Sequence, residues 1–292
     1  PLYSFPGIDQ LPARCNSLEN PLCYCYLNSV LQFLFTIKEI MYYFSKDPEN
    51  RLQSLKVAKQ FKKVVDEYQS HDRRQLDATS FLVCFRSKIE INTQQDVDEL
   101  LRLVLDQIHQ ELRPQTKRHG MTSAGGKSAW LSYCVQENSL MTYLFTGETK
   151  RRTVCFNCQY ASEITETFDI LSLSLSSDNK TLEDVISSNF ACELIDEGFQ
   201  CSSCKRLAPA TSKLFLTRLP RYLIVQLKRF SLFPKPCKVT QEIKYDNREF
   251  LDLKRHSLTN HSKYELQSVV HHSGTIGNGH YRVSGIRGDK VT

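Results

Sequence analysis

Long apolar runs are missing from this sequence. No stretch of about 18 uninterrupted apolar residues occurs, so a transmembrane helix is excluded and no membrane partner is expected. Residues 1–14 also lack the basic segment and apolar core of a secretory signal peptide. Neither an internal repeat nor a long linker interrupts the 292 residues, which fit one large domain or two smaller ones.

A dense stripe of one charge is missing as well. The net charge is +6, but acidic residues are interleaved with the basic ones, and clusters such as Lys62-Lys63 and Lys150-Arg151-Arg152 are short. Nucleic-acid-binding domains usually carry a denser basic face. We therefore interpret these clusters as solvated surface and expect no nucleic-acid partner.

The chain is rich in aromatic residues and cysteine. Its 16 Phe and 13 Tyr, within a hydrophobic content of 40%, exclude a chain that is disordered as a whole. The 11 cysteines are an odd number, and without a signal peptide a disulfide framework is not expected. We expect reduced thiols in the cytoplasm or nucleus that serve core packing, metal binding or nucleophilic chemistry.

Apolar residues recur at helical spacing over the first 112 residues. One stripe runs from Leu27 to Met41 and predicts a first helix, a second predicts a helix over 58–68, and a short helix is predicted near 80–85. Thr93 and Asp96 have the spacing of a helix start, with Thr93 as the cap and Asp96 reaching back. The helix that follows has its predicted buried face at Val97, Leu100, Leu101, Val104, Leu105, Ile108 and Leu112.

From about Tyr143 the pattern changes to short strands rich in β-branched and aromatic residues. An exposed loop is predicted before them, over residues 114–128, which are polar and contain glycine. The strands are predicted at 168–175, 213–217, 222–230, 264–270 and 280–286, in an antiparallel arrangement. Helices followed by strands predict an α+β fold.

Two Cys-x-x-Cys pairs, Cys155/Cys158 and Cys201/Cys204, are separated by 42 residues. Two such pairs can place four thiolates tetrahedrally around one zinc ion. Their separation predicts that each pair lies at the end of a hairpin. A redox-active pair or unpaired core thiols are the alternatives, and two pairs in a reducing setting favour zinc.

Cys25 stands at the start of the first predicted helix, where unpaired amides and the helix dipole favour a thiolate. Such a sulfur is a nucleophile when a base is near, whereas a lone Cys before an apolar helix is more often a small buried hydrophobe. His280 offers the base, because it starts a strand directly after the glycine-rich segment 273–279. Sequence alone does not show that the fold brings His280 to Cys25.

Five segments carry a resemblance to a known family. Residues 25–32 resemble the Cys box of the ubiquitin-specific proteases, which are papain-like deubiquitinases, and residues 264–281 resemble their His box. Residues 94–100 are similar to the family's Gln-Asp-Glu helix, and residues 219–230 to its Leu-Pro to Lys-Arg-Phe strand. The two Cys-x-x-Cys pairs match its zinc-bearing fingers, and the segments occur in the family order over residues 20–282.

The resemblance implies an α+β, papain-like cysteine protease fold with the family's right-hand architecture. One catalytic domain would span 1–292, with a helical thumb at about 15–142, β fingers at about 143–215 and a β palm at about 216–292. The implied partners are ubiquitin and ubiquitylated proteins. The implied cofactor is one structural zinc, held by Cys155, Cys158, Cys201 and Cys204.

By motif match, Cys25 is the nucleophile, His280 is the general base and Asn20 stabilises the oxyanion. Asp96 and Glu99 match acids that receive basic residues of the ubiquitin tail, and positions three apart share a helix face. The alternative for both acids is a capping role and a solvated surface. The implied reaction is hydrolysis of the peptide or isopeptide bond after the C-terminal Gly of ubiquitin, through a thioester on Cys25.

Two departures from the family pattern leave a second hypothesis open. Leu22-Cys23-Tyr24 stands where the family has Gly-Asn-Thr before the nucleophile, which alters the loop that shapes the oxyanion hole. The third catalytic residue, which orients His280, is either Asp289, the only acid after it, or a residue beyond Thr292. A weak or inactive ubiquitin-binding pseudo-enzyme is therefore the alternative to a deubiquitinating thiol protease. A zinc-ribbon nucleic-acid binder would leave the Cys, His and Gln-Asp-Glu segments unexplained.

Overall fold

The computed structural model describes residues 3–10, 16–20, 23–70, 75–114, 133, 136–231, 235–246, 250–260, 262–287 and 290–291. The chain divides into two compact units. The first unit is Pro1–Thr142 with Gln267–Thr292, and the second unit is Tyr143–Leu266. Among the described residues, no helix combines the length and hydropathy needed to cross a bilayer. Most of the loop predicted over 114–128 lies outside the described residues.

The helices are mostly in the first half of the chain. They are α1 (Cys25–Phe35), α2 (Lys38–Lys46), α3 (Val57–Gln69), α4 (Thr79–Leu82), α5 (Val97–Leu112), α6 (Leu140–Phe145) and α7 (Leu182–Asn189), with short 3-10 turns at Ile8–Gln10, Leu52–Ser54 and Val83–Phe85. The stripes predicted for α3 and α5 are confirmed, because every apolar residue that defined them is buried. The short helix predicted near 80–85 is confirmed as α4 and the turn after it.

The apolar stripe from Leu27 to Met41 belongs to two helices, so the prediction of one continuous helix is wrong. The hydroxyl of Thr36 donates to the carbonyl of Phe33, and Ile37 adopts an extended backbone with φ −95° and ψ 104°. The chain turns at these two residues while α1 and α2 both keep their apolar faces buried. Periodicity cannot detect such a break, because the apolar spacing continues across it.

Aromatic rings form the centre of the first unit. Phe61 is fully buried, and its ring centroid lies 4.7 Å from that of Phe44 and 5.5 Å from that of Phe81. The rings of Phe35 and Tyr68 are 4.1 Å apart. Each buried ring removes a large apolar area from water, and edge and tilted contacts between rings add to that burial. This core supports α1, the helix that begins at Cys25.

The second unit is built mainly from strands. They are β1 (Gly147–Cys155), β2 (Ala161–Phe168), β3 (Ile170–Ser174), β4 (Glu193–Gln200), β5 (Leu207–Arg218), β6 (Ile224–Lys228), β7 (Phe230–Ser231), β8 (Cys237–Lys238), β9 (Leu251–Asp252) and β10 (Lys263–Tyr264). Four of them form an antiparallel sheet in the order β2-β1-β5-β4. The predicted strands 168–175, 213–217 and 222–230 correspond to β3, part of β5, and β6 with β7.

Strands β3 and β6 pair in parallel, from Ile170 opposite Ile224 to Ser174 opposite Lys228. The expectation of a wholly antiparallel arrangement is therefore wrong for this pair. A second apolar core lies around it and includes Leu173, Val185, Ile186, Phe190 and Leu216. Two of these residues come from α7, whose amphipathic face closes the core.

Three strands near the end of the chain belong to the first unit. β11 (Ser268–Gly274) and β12 (Gly279–Arg287) form an antiparallel hairpin, and β13 (Lys290–Val291) pairs with β12. Both β11 and β12 pack against α1. The predicted strand 280–286 is confirmed, whereas the predicted strand 264–270 is divided between β10 and β11.

Candidate active site and metal centre

Cys25 is the first residue of α1, and its side chain is buried, with 6% of the residue exposed. Tyr24 precedes it with φ −88° and ψ 17°, and accepts the helix hydrogen bond from the Asn28 amide at 2.9 Å. Within the described part of the chain, no side chain caps this helix end. The sulfur therefore lies beside backbone N–H groups that an anion or a substrate oxygen can use.

Two asparagines tie the preceding loop to α1. The Oδ1 atom of Asn20 accepts from the backbone amide of Tyr24 at 3.0 Å. The Nδ2 atom of Asn28 donates to the carbonyl of Glu19 at 2.9 Å. Because Oδ1 of Asn20 is engaged, its Nδ2 group is left to donate elsewhere. Sequence reasoning did not assign this role to Asn28, although the residue lies within the motif at 25–32.

His280 is the second residue of β12, and it is exposed. The residue before it, Gly279, donates its backbone amide to the Oε1 atom of Gln94 at 3.0 Å. Among the described residues, the imidazole of His280 has no hydrogen-bond partner. Asp289, one candidate to orient this ring, lies outside the described residues. The structure thus brings the strand of His280 to the helix of Cys25, but it does not assign the third catalytic residue, which would orient His280.

The backbone around His280 is closely packed. A Cβ atom placed on Gly279 would collide with the imidazole of His272 and would lie 2.7 Å from the carbonyl oxygen of Ser273. The His272 ring in turn lies 4.5 Å from the ring of Tyr281. Only glycine fits at position 279, so the glycine before His280 is required by the packing of the β11–β12 hairpin.

The Tyr281 hydroxyl lies close to the start of α5 and to the nucleophile candidate. Burial raises the pKa of this phenol, and the nearby Asp96 and Cys25 raise it further. The nearby backbone amide of Val97 lowers the pKa in part. These groups therefore lie in one neighbourhood of the first unit.

The start of α5 differs from the sequence prediction. Asp96, not Thr93, is the N-cap: its Oδ1 accepts from the amide of Asp98 at 2.7 Å, and α5 begins at Val97. The hydroxyl of Thr93 instead donates to the carbonyl of Glu90 at 3.2 Å. The extended backbone of Asp96, with φ −77° and ψ 133°, lets a short carboxylate reach a first-turn amide, which explains the preference.

The acids of the α5 start are in different environments. Burial raises the pKa of Asp96, and the hydrogen bond from the Asp98 amide partly offsets the rise. Asp98 is paired with Arg102 at 2.8 Å. Glu99 is exposed and has no ion-pair or hydrogen-bond partner among the described residues. Glu99 is therefore available to a ligand, whereas Asp96 already has a capping role.

The second unit contains a cluster of four cysteines. The Sγ atoms of Cys155, Cys158, Cys201 and Cys204 all lie within 4.8 Å of one another, and those of Cys158 and Cys201 are 3.6 Å apart. Zinc bound to four thiolates at about 2.3 Å requires sulfurs about 3.8 Å apart. One pair lies in the turn between β1 and β2, and the other between β4 and β5, as predicted for two hairpin ends. The cluster could hold a metal ion.

The ionisation of these thiols also suits a cation. The Nδ2 group of Asn157 donates to the Sγ atom of Cys204 at 3.4 Å, and this bond is the main cause that lowers the pKa of Cys204 to about 6. For Cys158, a backbone hydrogen bond from Tyr160 lowers the pKa, but burial and the other cysteines outweigh it and raise the pKa to about 11. One thiol ionises readily and its neighbour resists, because adjacent thiolates repel until a cation binds.

Comparison with known proteins gives a family match and curated relatives. A family model described as "Ubiquitin carboxyl-terminal hydrolase" matches residues 16–289. Ubiquitin carboxyl-terminal hydrolase 2 of Homo sapiens is 27% identical over 312 aligned positions, which cover 95% of this chain and 51% of the relative. Ubiquitin carboxyl-terminal hydrolase 4 of Saccharomyces cerevisiae (strain YJM789) is 27% identical, covering 90% of this chain and 34% of that protein. The chain spans about half the length of the human relative, and less of the yeast one.

Solved structures share the fold. The structure of the SAGA Ubp8/Sgf11/Sus1/Sgf73 DUB module bound to ubiquitin aldehyde matches with a TM-score of 0.75 and 22% identity, over 94% of this chain and 62% of that chain. The same module with a substituted Ubp8, bound to monoubiquitin, matches with a TM-score of 0.74 and 22% identity, over 92% of this chain and 61% of that chain. The expected α+β, papain-like fold class is thereby confirmed.

Proposed function

Since the chain belongs to the ubiquitin carboxyl-terminal hydrolase family, we propose that it is a deubiquitinating thiol protease. It hydrolyses the peptide or isopeptide bond that follows the C-terminal Gly of ubiquitin. One observation carries the proposal: α1, which begins at Cys25, packs against β12, whose second residue is His280. The solved relatives that hold ubiquitin or ubiquitin aldehyde support ubiquitin as the partner.

The reaction uses Cys25 as the nucleophile. Its thiolate attacks the carbonyl carbon of the terminal Gly, and the oxyanion is stabilised by the Nδ2 group of Asn20 and by backbone amides at the start of α1. The intermediate collapses when the imidazolium of His280 donates a proton to the departing lysine amine, which leaves a thioester on Cys25. Water, deprotonated by His280, then attacks the thioester and releases the ubiquitin carboxylate and the free Cys25 thiol.

Substrate capture involves the start of α5. Glu99 and Asp96 accept basic residues of the ubiquitin tail, a role supported by the exposure of Glu99 and by the position of Asp96 near Tyr281 and Cys25. Asp96 keeps its capping bond in the bound state, because a carboxylate has lone pairs for both partners.

The cofactor in this proposal is one structural zinc ion held by Cys155, Cys158, Cys201 and Cys204. Four thiolates close the coordination sphere, so the ion stabilises the fold and leaves no position for substrate. The division into a thumb at about 15–142, fingers at about 143–215 and a palm at about 216–292 is part of the same proposal.

Steady-state hydrolysis of a ubiquitin C-terminal fluorogenic amide tests the activity. We expect turnover by the wild-type chain and a loss of at least about 10³-fold for Cys25→Ala, with ubiquitin affinity retained. Cys23→Ala is the matched control, two residues away, and is expected to stay active. An active Cys25→Ala or an inactive Cys23→Ala would contradict the assignment of the nucleophile.

A second measurement distinguishes an active protease from the alternative, an inactive pseudo-enzyme that binds ubiquitin. A ubiquitin probe with a C-terminal electrophile labels only a competent thiolate, so we expect labelling of Cys25 in the wild-type chain. Ubiquitin binding without turnover and without labelling would instead establish a binding protein of the same fold. The departure from the family pattern at Leu22-Cys23-Tyr24 makes this the alternative to test.

The capture role is tested by changing charge without changing shape. Asp96→Asn keeps an oxygen for the Asp98 amide and removes the charge, and Glu99→Gln does the same at the exposed position. Each is expected to weaken ubiquitin binding about three- to tenfold, and more so at low salt. Unchanged affinity for both variants would mean that the two acids serve only the helix start and the solvated surface.

A further inference from the structure

The residue before His280 is held by the segment that leads into α5. The amide of Gly279 donates to the Oε1 atom of Gln94 at 3.0 Å, across 185 residues of sequence. On the other side, the ring of Tyr281 lies 4.5 Å from the ring of His272 in the facing strand. His280 thus directly follows a backbone attachment to the segment before α5 and precedes a ring contact within the hairpin.

The backbone at Gly279 is confined from two directions. On the hairpin side, the His272 imidazole and the Ser273 carbonyl leave no room for a Cβ atom. On the α5 side, the Gln94 side chain accepts the peptide N–H. A backbone held from opposite sides has little freedom to translate, so the start of β12 has one defined position relative to α1.

We propose that Gln94 is a positioning residue, which fixes the His280 imidazole relative to Cys25 by accepting the hydrogen bond of Gly279. The inference rests on the proposed role of His280 as the general base. It matters because His280 directly follows Gly279, so the position of the Gly279 backbone determines where the imidazole begins. A misplacement of about 1 Å in a catalytic group can reduce a rate by up to about 10²-fold.

Three substitutions isolate this bond. Gln94→Met keeps the length of the side chain and removes the acceptor, whereas Gln94→Glu keeps an acceptor oxygen at the same reach. Gln95→Met is the matched control, since its amide donates to the Glu90 carbonyl at 2.9 Å and the Thr93 hydroxyl at 2.6 Å. The control therefore removes two hydrogen bonds of the same segment and leaves the Gly279 attachment intact.

The kinetic expectation is a change in kcat with little change in KM. For the ubiquitin fluorogenic amide, Gln94→Met should lower kcat about three- to tenfold, the range that one partly exposed hydrogen bond accounts for. Gln94→Glu should recover most of the loss, and Gln95→Met should stay within about twofold of wild type. Equal losses of kcat for Gln94→Met and Gln95→Met would overturn the inference, since both would then report only a weakened segment.

A readout independent of turnover separates this inference from the proposed function. Amide hydrogen exchange at Gly279, followed by NMR, should become faster in Gln94→Met and stay unchanged in Gln95→Met. If the wild-type chain shows no turnover, the proposed function fails, while the exchange measurement still tests the attachment. Unchanged exchange in Gln94→Met, or faster exchange with an unchanged kcat in an active enzyme, would overturn the positioning role.

Discussion

Strand β2, at an edge of the four-stranded sheet, has no buried residue along its eight positions, whereas α3 buries six of its 13. The buried cluster at the end of that sheet consists of Cys155, Cys201 and Ala208. The first unit instead buries large rings such as Phe44, Phe61 and Phe81. The end of the sheet that carries these cysteines, called the sheet end below, buries too little apolar area to be stable by packing alone. We therefore infer that metal ligation contributes the folding free energy there that ring packing contributes in the first unit.

The largest effect is expected from loss of the metal site. Cys158→Ser should remove bound zinc and expose the ends of β1, β4 and β5 to hydrogen exchange, while α1 and α3 stay protected. The reason is that metal binding supplies much of the folding free energy of a region with a small core, on the order of 10 kcal/mol in zinc peptides. Zinc content by elemental analysis and peptide-resolved exchange measure both.

Cys192→Ser is the control for the metal site, because Cys192 is exposed and lies outside the cluster. It should retain about one zinc per chain. If Cys158→Ser kept its zinc and its protection, the sheet end would be stable without the ion and the contrast between the two regions would be wrong.

The next effect concerns the aromatic core. Phe61→Ala should cost roughly 3–5 kcal/mol of stability, because it removes a fully buried ring that contacts Phe44 and Phe81. Phe156→Ala should change stability by less than about 1 kcal/mol, since Phe156 is 48% exposed between Cys155 and Cys158. Urea unfolding followed by helical circular dichroism compares them. Similar losses for both would show that the sheet end depends on apolar packing after all.

A smaller effect is expected at the β11–β12 hairpin. Gly279→Ala should cost about 1–3 kcal/mol and reduce turnover, because its Cβ would displace His272 beside His280. Gly277→Ala, where nothing lies within 4 Å of an added Cβ, should be close to neutral. Thermal unfolding and amide hydrolysis measure the pair. A neutral Gly279→Ala would indicate that the hairpin yields more easily than its packing suggests.

The smallest effect depends on pH. Burial raises the pKa of Glu137, but hydrogen bonds from Arg113 at 2.9 Å and from His109 at 3.1 Å outweigh it, so the pKa lies below the ordinary value of 4.5. A lowered carboxyl pKa stabilises the fold above that ordinary value, and the contribution disappears as the pH falls through the lowered pKa. Glu137→Gln should therefore cost up to about 1 kcal/mol at pH 7 and nothing in acid.

Glu163→Gln provides the counterpart in the exposed sheet, where Glu163 is paired with Lys150 at 2.9 Å and nearly half exposed. Unfolding midpoints measured between pH 3 and 7 are expected to change little for this variant, because exposed ion pairs contribute little. A pH-independent loss in Glu137→Gln would show that the side chain serves packing and not ionic bonding.

The same local pattern occurs twice in the sequence with different outcomes, which shows where sequence analysis reaches its limit. Thr93 and Asp96 have capping-box spacing but form no such box, and Asp96 caps α5 alone. Thr181 and Asp184 have the same spacing and form the reciprocal box of α7, a helix that the sequence analysis did not predict. Which residue becomes the cap depends on where the buried face of each helix begins, and that is decided by tertiary packing.

Strong apolar periodicity was sufficient to predict α3 and α5 from the sequence. The cysteine spacing was sufficient to predict the cluster of four sulfur atoms. The parallel pairing of β3 with β6 left no local signal, because it joins strands that are far apart in sequence and need no particular turn. The bond between Gln94 and Gly279 was missed for the same reason: each residue belonged to a recognised segment, but neither segment specifies its contact with the other.

The interrupted sequence of the first unit has a consequence for its synthesis. Its last two main strands follow the whole of the second unit, so a ribosome completes Tyr143–Leu266 before β11 and β12 exist. His280 is made about 255 residues after Cys25, a delay of roughly 13 to 50 s at the usual rates of translation. During that interval the nascent chain carries a nucleophile without its base. Under the proposed roles, unfinished chains, and those from messages with an early stop codon, are unable to cleave ubiquitin conjugates.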